Sequence, residues 1–299
     1  MKYTCVSFGE VLFDVLPNER KIGGAPLNIA YHLNNLDVPT TLITRVGNDE
    51  NGEILKAFML DKKVGDENVQ TDYHHETSLV LAIANQRGEM TYTIKEDVAW
   101  DYIDMQSKYE TLLSEAQYFI FGSLSARSKA TRRTLFELLE IPVKKVFDIN
   151  LRAPFIDKER IAHQLSKTNV LKMNADELDI LGSWYGGAAT AENTMRKLQD
   201  KFHFDSMVVT CGADGSLLLQ DHVIYHNKGL KVQVADTIGS GDSFLAGFLS
   251  QQIKGCTPQD SIDFAGAVGA FIATKTGGCP EYKVAEINQL QQKLAPEKM

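Results

Sequence analysis

The sequence is poor in the features that mark secreted, zinc-stapled, membrane-spanning or nucleic-acid-binding proteins. It has only four cysteines, Cys5, Cys211, Cys256 and Cys279, and no two share C-x-x-C spacing. Neither a zinc site nor a disulfide framework is therefore expected, which fits a reducing compartment. No apolar run approaches the length that spans a bilayer. The apolar stretch near the N-terminus is interrupted by Glu10 and Asp14, unlike a signal peptide. Cytoplasmic residence is the expectation. Positive charge is in deficit: the formal net charge is −8, and no basic stripe offsets it, so a nucleic-acid partner is not expected. The acidic balance reads as a solubility feature. Low-complexity tracts, internal repeats and Pro/Ser-rich linkers are also missing. Residues 1–299 read as a single domain, long enough for a sizeable core.

Two nucleotide-binding fingerprints are absent as well. There is no Gly-x4-Gly-Lys-Ser/Thr, and a Gly-x-Gly-x-x-Gly beginning at Gly239 fails because Phe244 stands where the last glycine is needed. What the sequence does hold is alternation. β-Branched runs such as Thr4–Phe8, Thr40–Val46, Tyr118–Phe121, Val143–Asp148, Asn169–Met173 and Met207–Thr210 alternate with stretches of helical spacing. These include Pro26–Leu36, Asn51–Leu60, Ser128–Leu139 and Ala175–Leu181. The pattern predicts an α/β fold with a mainly parallel sheet covered on both faces, whose ligands gather at the carboxyl ends of the strands. Pro258–Thr274 reads as a small-residue helix and Val284–Leu294 as another. One region breaks the rhythm. Thr77–Asn85 and Met90–Lys95 read as extended segments around the polar turn Gln86-Arg87-Gly88-Glu89, a hairpin set into the frame.

The richest local signal is Asp236-Thr237-Ile238-Gly239-Ser240-Gly241-Asp242-Ser243, followed at once by the apolar run Phe244–Leu249. Glycines around a small residue let successive amides turn inward, and a helix opening there directs unpaired N–H groups at an anion. Asp242 stands in that positive turn. A carboxylate beside an anion hole suits deprotonation of a hydroxyl while negative charge develops on a phosphoryl group. An ordinary helix cap uses the same residue types.

The octet resembles the C-terminal signature of the ribokinase-like (pfkB) carbohydrate kinases, Asp-Thr-x-Gly-Ala-Gly-Asp, with Ser240 in place of the alanine. Phe8-Gly9-Glu10-Val11-Leu12-Phe13-Asp14 and Gly23-Gly24-Ala25-Pro26-Leu27-Asn28 resemble that family's N-terminal segment, and Asp148-Ile149-Asn150-Leu151-Arg152 is similar to the Asp-x-Asn-x-Arg of its fructokinase branch. The resemblance implies a three-layer ribokinase-like sandwich with a small β-sheet lid, drawn from about residues 11–22 and 70–97. It implies ATP as co-substrate with Mg²⁺ and a sugar acceptor. A hairpin that exposes an apolar face is unstable alone and is covered by a second copy, so a homodimer through the lids is expected.

Residue by residue, the resemblance makes Asp242 the catalytic base, with the amides of Gly239, Ser240 and Gly241 holding the transferring phosphoryl group. Asp14, Gly24 and Asn28 would bind sugar hydroxyls, with Asn150 and Arg152 near sugar or phosphate. Asn174 and Glu177 match an Asn-x-x-Glu element whose glutamate organises Mg²⁺ through water, although a helix-capping pair has the same spacing. Thr210, Gly212, Gly215 and Gly277 would border ATP. Asp236 would be the carboxylate of a monovalent-cation site such as K⁺, with Glu281 in place of a frequent serine there. Ala25 stands where ribose-specific members carry lysine, which favours fructose over ribose. 2-Keto-3-deoxygluconate and nucleosides remain rivals. A non-catalytic sugar-sensing paralogue is opposed by the intact Asp242 and glycines, and a dehydrogenase by the failed dinucleotide fingerprint.

Overall fold

The computed structural model describes residues 2–15, 19–84 and 90–294. The expected turn Gln86–Glu89 and residues 16–18 of the first expected lid segment lie outside the described residues. The strands, in chain order, are β1 (Cys5–Phe8), β2 (Leu12–Val15), β3 (Arg20–Gly23), β4 (Thr40–Gly47), β5 (Val69–Asp72), β6 (Ser78–Ala84), β7 (Met90–Ile94), β8 (Tyr118–Gly122), β9 (Lys144–Asp148), β10 (Val170–Asn174), β11 (Ser206–Thr210), β12 (Ser216–Gln220) and β13 (Val223–Asn227). The helices are α1 (Ala25–Asn35), α2 (Glu50–Asp61), α3 (Lys108–Glu115), α4 (Lys129–Leu139), α5 (Lys158–Ser166), α6 (Ala175–Tyr185), α7 (Ala191–Phe202), α8 (Ser240–Ile253), α9 (Pro258–Ala273) and α10 (Val284–Leu294).

The main sheet runs β13-β12-β11-β10-β9-β8-β1-β4-β5. It is parallel from β5 through β11, and β12 and β13 add an antiparallel edge. Parallel strands buried on both faces favour near-continuous apolar runs, and β8 and β11 supply them over Phe119–Phe121 and Met207–Val209. Along β8, Phe119 and Phe121 pack into one core while Ile120 packs into the other. Along β11, Met207 and Val209 face the first and Val208 the second. The first core is closed by Leu113 of α3, Leu135 of α4, Leu165 of α5, Leu181 of α6 and Leu198 of α7. The second is closed by Leu33 of α1, Phe248 of α8 and Ile262 of α9. In α9 small residues permit a close crossing: a Cβ on Gly247 of α8 would stand 3.1 Å from Ala265 Cα. The three expected layers are present.

A second sheet, ordered β3-β2-β6-β7, stands apart from the first. Phe13 and Val11 root it in a third core with Leu27, Tyr31 and Val46. The expected hairpin is thus β6 and β7, paired antiparallel. Residues 70–72, expected in the lid, instead belong to the main sheet. Val69–Asp72 emerges from the loop after α2 onto the open edge of β4 and pairs with it in parallel. Among the described residues no helix is long and apolar enough to cross a membrane. β1 pairs with β4 on one side and β8 on the other, so the connections diverge there and leave a crevice beyond the carboxyl end of β1.

Candidate active site

The N-terminus of α8 opens into that crevice. Gly239 is its N-cap, with φ 75°, and a Cβ there would lie 2.7 Å from Gly278 Cα. Glycine alone meets both conditions. The octet therefore presses directly on the loop after α9. Asp242 lies in the first turn of α8, half-buried, and its Oδ2 accepts a hydrogen bond from Asn28 Nδ2 at 2.8 Å. Cys279 Sγ in turn donates to Asn28 Oδ1 at 3.2 Å, which fixes the amide's orientation. Burial pushes the Asp242 carboxyl up to about 6, helped by the charge of Asp148 and opposed by Lys172, Asn28 and Arg152. It remains ionised at neutral pH, as a base must be.

The expected amide cradle needs one correction. Ser240 N donates to Thr237 O at 3.2 Å, closing a turn ahead of the helix. That amide is spent internally. The amides of Gly239, Gly241 and Asp242 have no protein acceptor among the described residues.

Asn28 lies on α1, whose entry is set by Gly24. The N-cap φ is 116°, and a Cβ on Gly24 would sit 2.5 Å from Glu10 O. Pro26 opens the helix, as its fixed φ favours. The tight turn thus brings Asn28, buried at 3% exposure, to Asp242. Asp14, on β2, faces Lys21 of β3 across the second sheet. Burial raises the Asp14 carboxyl, while Arg152 and Lys21 pull it down. Arg152 is exposed and bonds only its neighbour's Leu151 O, at 3.3 Å, among the described residues. Its charge reaches Asp14, Glu10 and Asp242. Asn150 is half-buried with φ 38°, and its carbonyl accepts from Ser123 Oγ at 3.3 Å.

Asn174 and Glu177 form a capping box at the start of α6. Glu177 Oε2 accepts from Asn174 N and Oε1 from Leu151 N, both at 2.8 Å. One bond per oxygen leaves each a lone pair. This buried carboxylate suits a water-bridged cation better than direct ligation. Thr210 ends β11, half-buried, and Gly212 and Gly215 flank the turn into β12. Gly277 N donates to Asp236 Oδ2 at 3.1 Å. Asp236, expected to face a monovalent cation, holds the Lys21 ammonium at 3.1 Å instead. Glu281 turns outward to Lys62 at 2.9 Å.

Four further residues carry the site, of which Asp148 and Glu10 stand within the quoted segments without an assigned role, while Lys172 and His32 have no motif to announce them. Lys172 Nζ lies 3.0 Å from both oxygens of Asp148, and a Cβ on Gly241 would sit 3.0 Å from that ammonium. Burial works against the Lys172 charge, but Asp148 and Asp242 hold its affinity for the proton above the usual range. His32 is buried and neutral, pushed down to about 4 by burial. Its Nε2 donates to Gly278 O at 2.8 Å, so Nδ1 accepts from Tyr282 OH at 3.0 Å. Glu10 is 3% exposed, with Ser125 Oγ 3.5 Å away as its side-chain partner. Burial pushes its carboxyl from the ordinary 4.5 up to about 7, with the Asp242 charge adding. The folded state keeps that proton longer than the unfolded chain, so a folding penalty grows between pH 4.5 and about 7 and is full above it. Glu10→Gln removes the penalty. It should raise stability at pH 8 by about 3 kcal/mol and leave it unchanged at pH 4. Urea unfolding at the two pH values checks this, and an equal shift at both would show an effect unrelated to charge.

A half-buried carboxylate at an open helix terminus, above a parallel sheet and beside a small second sheet, defines a ribokinase-like fold of the kind that transfers phosphoryl groups. The chain belongs to the pfkB family of carbohydrate kinases, whose model matches residues 3–283. It is an ATP-dependent sugar kinase. Fructokinase-1 of Zea mays is 27% identical over 96% of this chain and 97% of its own length. Among solved structures, a fructokinase with bound ATP from Xylella fastidiosa has a TM-score of 0.86 and 22% identity, covering 99% of this chain and 100% of that one. A double-mutant fructokinase from Vibrio cholerae, solved with fructose, ADP and a potassium ion, has a TM-score of 0.81 and 22% identity, covering 97% and 98%.

Proposed function

We propose that this kinase transfers the γ-phosphate of ATP to a primary hydroxyl of a ketose, with fructose the first substrate. The carrying observation is the 2.8 Å contact between Asn28 and Asp242, which joins a polyol-binding amide to a base in one crevice. Asp14, beyond it on β2, adds a carboxylate acceptor for further hydroxyls. Asp242 takes the proton of the attacking hydroxyl. The amides of Gly239 and Gly241, with the positive end of α8, receive the charge on the transferring group. Asn174, Thr210, Gly212, Gly215 and Gly277 line the nucleotide's side. Mg²⁺ would enter with ATP and neutralise its phosphates, with Glu177 bonding its waters. Gly24 admits α1 to the sugar, and Asn150 and Arg152 flank it.

A coupled ATP-consumption screen across ketoses, aldoses and nucleosides tests the substrate. Fructose should give the highest kcat/KM, and preference for ribose or a nucleoside overturns it. Asp14→Ala should raise the sugar KM, lowering kcat/KM by about one to two decades for a lost charged hydrogen bond. Unchanged sugar kinetics with a lowered Tm would make Asp14 structural.

The same proposal makes the chain one domain, with β2, β3, β6 and β7 as its lid over the sugar, and the enzyme a homodimer through the lids. Leu81 on β6 is 41% exposed, an apolar group that a second copy would cover. Sedimentation should give twice the chain mass, and a monomer at micromolar concentration rejects the dimer.

A further inference from the structure

We propose that the Lys21 ammonium is the built-in cation of the catalytic turn, so that phosphoryl transfer by this chain needs no external potassium. The proposal concerns Asp236, the first residue of the octet that carries Asp242. Its carboxylate joins three segments. Oδ1 accepts from Ile238 N at 3.0 Å, within the octet itself. Oδ2 accepts from Gly277 N at 3.1 Å, in the loop against which Gly239 packs. Oδ2 also meets Lys21 Nζ at 3.1 Å, from β3 of the second sheet. Asp236 and Lys21 are each 15% exposed at the side chain. Burial opposes ionisation of Asp236, but the two amides and Lys21 hold its carboxyl below the usual carboxylate range.

A shielded carboxylate at this point needs a positive partner, and Lys21 supplies one covalently tethered to the protein. Glu19, 3.0 Å from the same ammonium, completes its surroundings, and Asp14 adds negative charge nearby. The donors already facing Asp236 are an ammonium and two amides, where an alkali cation would need oxygen ligands. Glu281, beside the same loop, points away to Lys62. The tether has a second effect. Because Lys21 sits on the second sheet, its bond to Asp236 draws that sheet down toward the turn that holds Gly239 and Gly241. Lys21 is thus a positioning residue. It touches neither the reacting hydroxyl nor the phosphoryl group.

The proposal rests on the kinase assignment and is tested on whichever sugar the screen identifies. Turnover of the wild type is compared in choline, sodium and potassium chloride at equal ionic strength. It should change by less than about twofold, as expected when no alkali ion binds at Asp236. Lys21→Met should lose about tenfold or more in kcat in choline, the scale of a lost charge-assisted bond. It should recover in potassium more than in sodium, because the methionine frees Asp236 for an ion. Potassium should also raise the Tm of Lys21→Met and leave that of the wild type unchanged, a readout independent of turnover. Lys21→Arg should keep wild-type behaviour in all three salts.

A wild type that needs potassium overturns the proposal. So does Lys21→Met with full kcat in choline, or one that potassium neither activates nor stabilises. The wild-type comparison decides the matter even if the methionine variant does not fold. Absence of turnover with every sugar in every salt would count against the substrate assignment, and not against the cation.

Discussion

Asp242→Asn should lose about 10²–10⁴-fold in kcat, the span typical of a removed general base. The substitution keeps size and allows a side-chain hydrogen bond to Asn28, so ATP binding and the fold should be nearly unchanged. The wild type should show an acid limb in kcat/KM near pH 6, where burial has moved the carboxyl. Below that pH Asp242 is protonated and cannot accept the sugar proton. The asparagine variant's residual rate should lose this limb. Equal turnover in the two proteins would remove Asp242 from the role of base. A limb that survives in Asp242→Asn would belong to another group, and Glu10 is the first to consider.

Lys172→Met is expected to be the most damaging change outside the reacting groups. Lys172 is 7% exposed and sits between Asp148 and the first turn of α8. Without it, Asp148 is left buried beside Asp242 and Glu177, whose carboxyls its charge already pushes up, against ionisation. Removing one partner of a buried pair typically costs about 3–5 kcal/mol. For a chain of this size that corresponds to a fall in Tm of roughly 5–8 °C. The acid limb should move above pH 6, because Lys172 is the charge that chiefly holds the Asp242 carboxyl down. Adding Asp148→Asn neutralises the stranded partner and should recover most of the lost stability. A single variant as stable as wild type, with an unmoved limb, would show that the pair is neither structural nor electrostatic support.

These two residues differ in how visible they are in the sequence. Asp242 is legible because a glycine-rich turn and the helix behind it are contiguous, so the local chemistry is complete within eight residues. Gly24 and Asn28 are legible for the same reason. The capping spacing of Asn174 and Glu177 is also local, and the box forms as the spacing allows. Lys172 and Asp148 are 24 positions apart and meet only because β9 and β10 lie side by side. Lys21 and Asp236 are 215 positions apart, one on β3 and the other in the loop ahead of α8, so nothing in either segment points to the other. The spent amide of Ser240 was hidden for a subtler reason, since whether a turn closes on itself depends on its dihedral angles. Residues 70–72 illustrate the limit for strands. A short alternating run declares itself extended but does not say which of two sheets it will join.

The contact between Asn28 and Asp242 also fixes when an individual molecule becomes competent. Its two residues are 214 positions apart. At a synthesis rate of about 5–20 residues per second, the amide waits roughly 10–40 s on the ribosome before its carboxylate exists. For the first part of that interval β1 is also short of a neighbour, since β8 arrives more than a hundred residues after it. Truncated chains released before α8 would hold much of the sheet and none of the chemistry. Turnover in a translation extract would therefore report completed molecules alone, with a lag set by elongation.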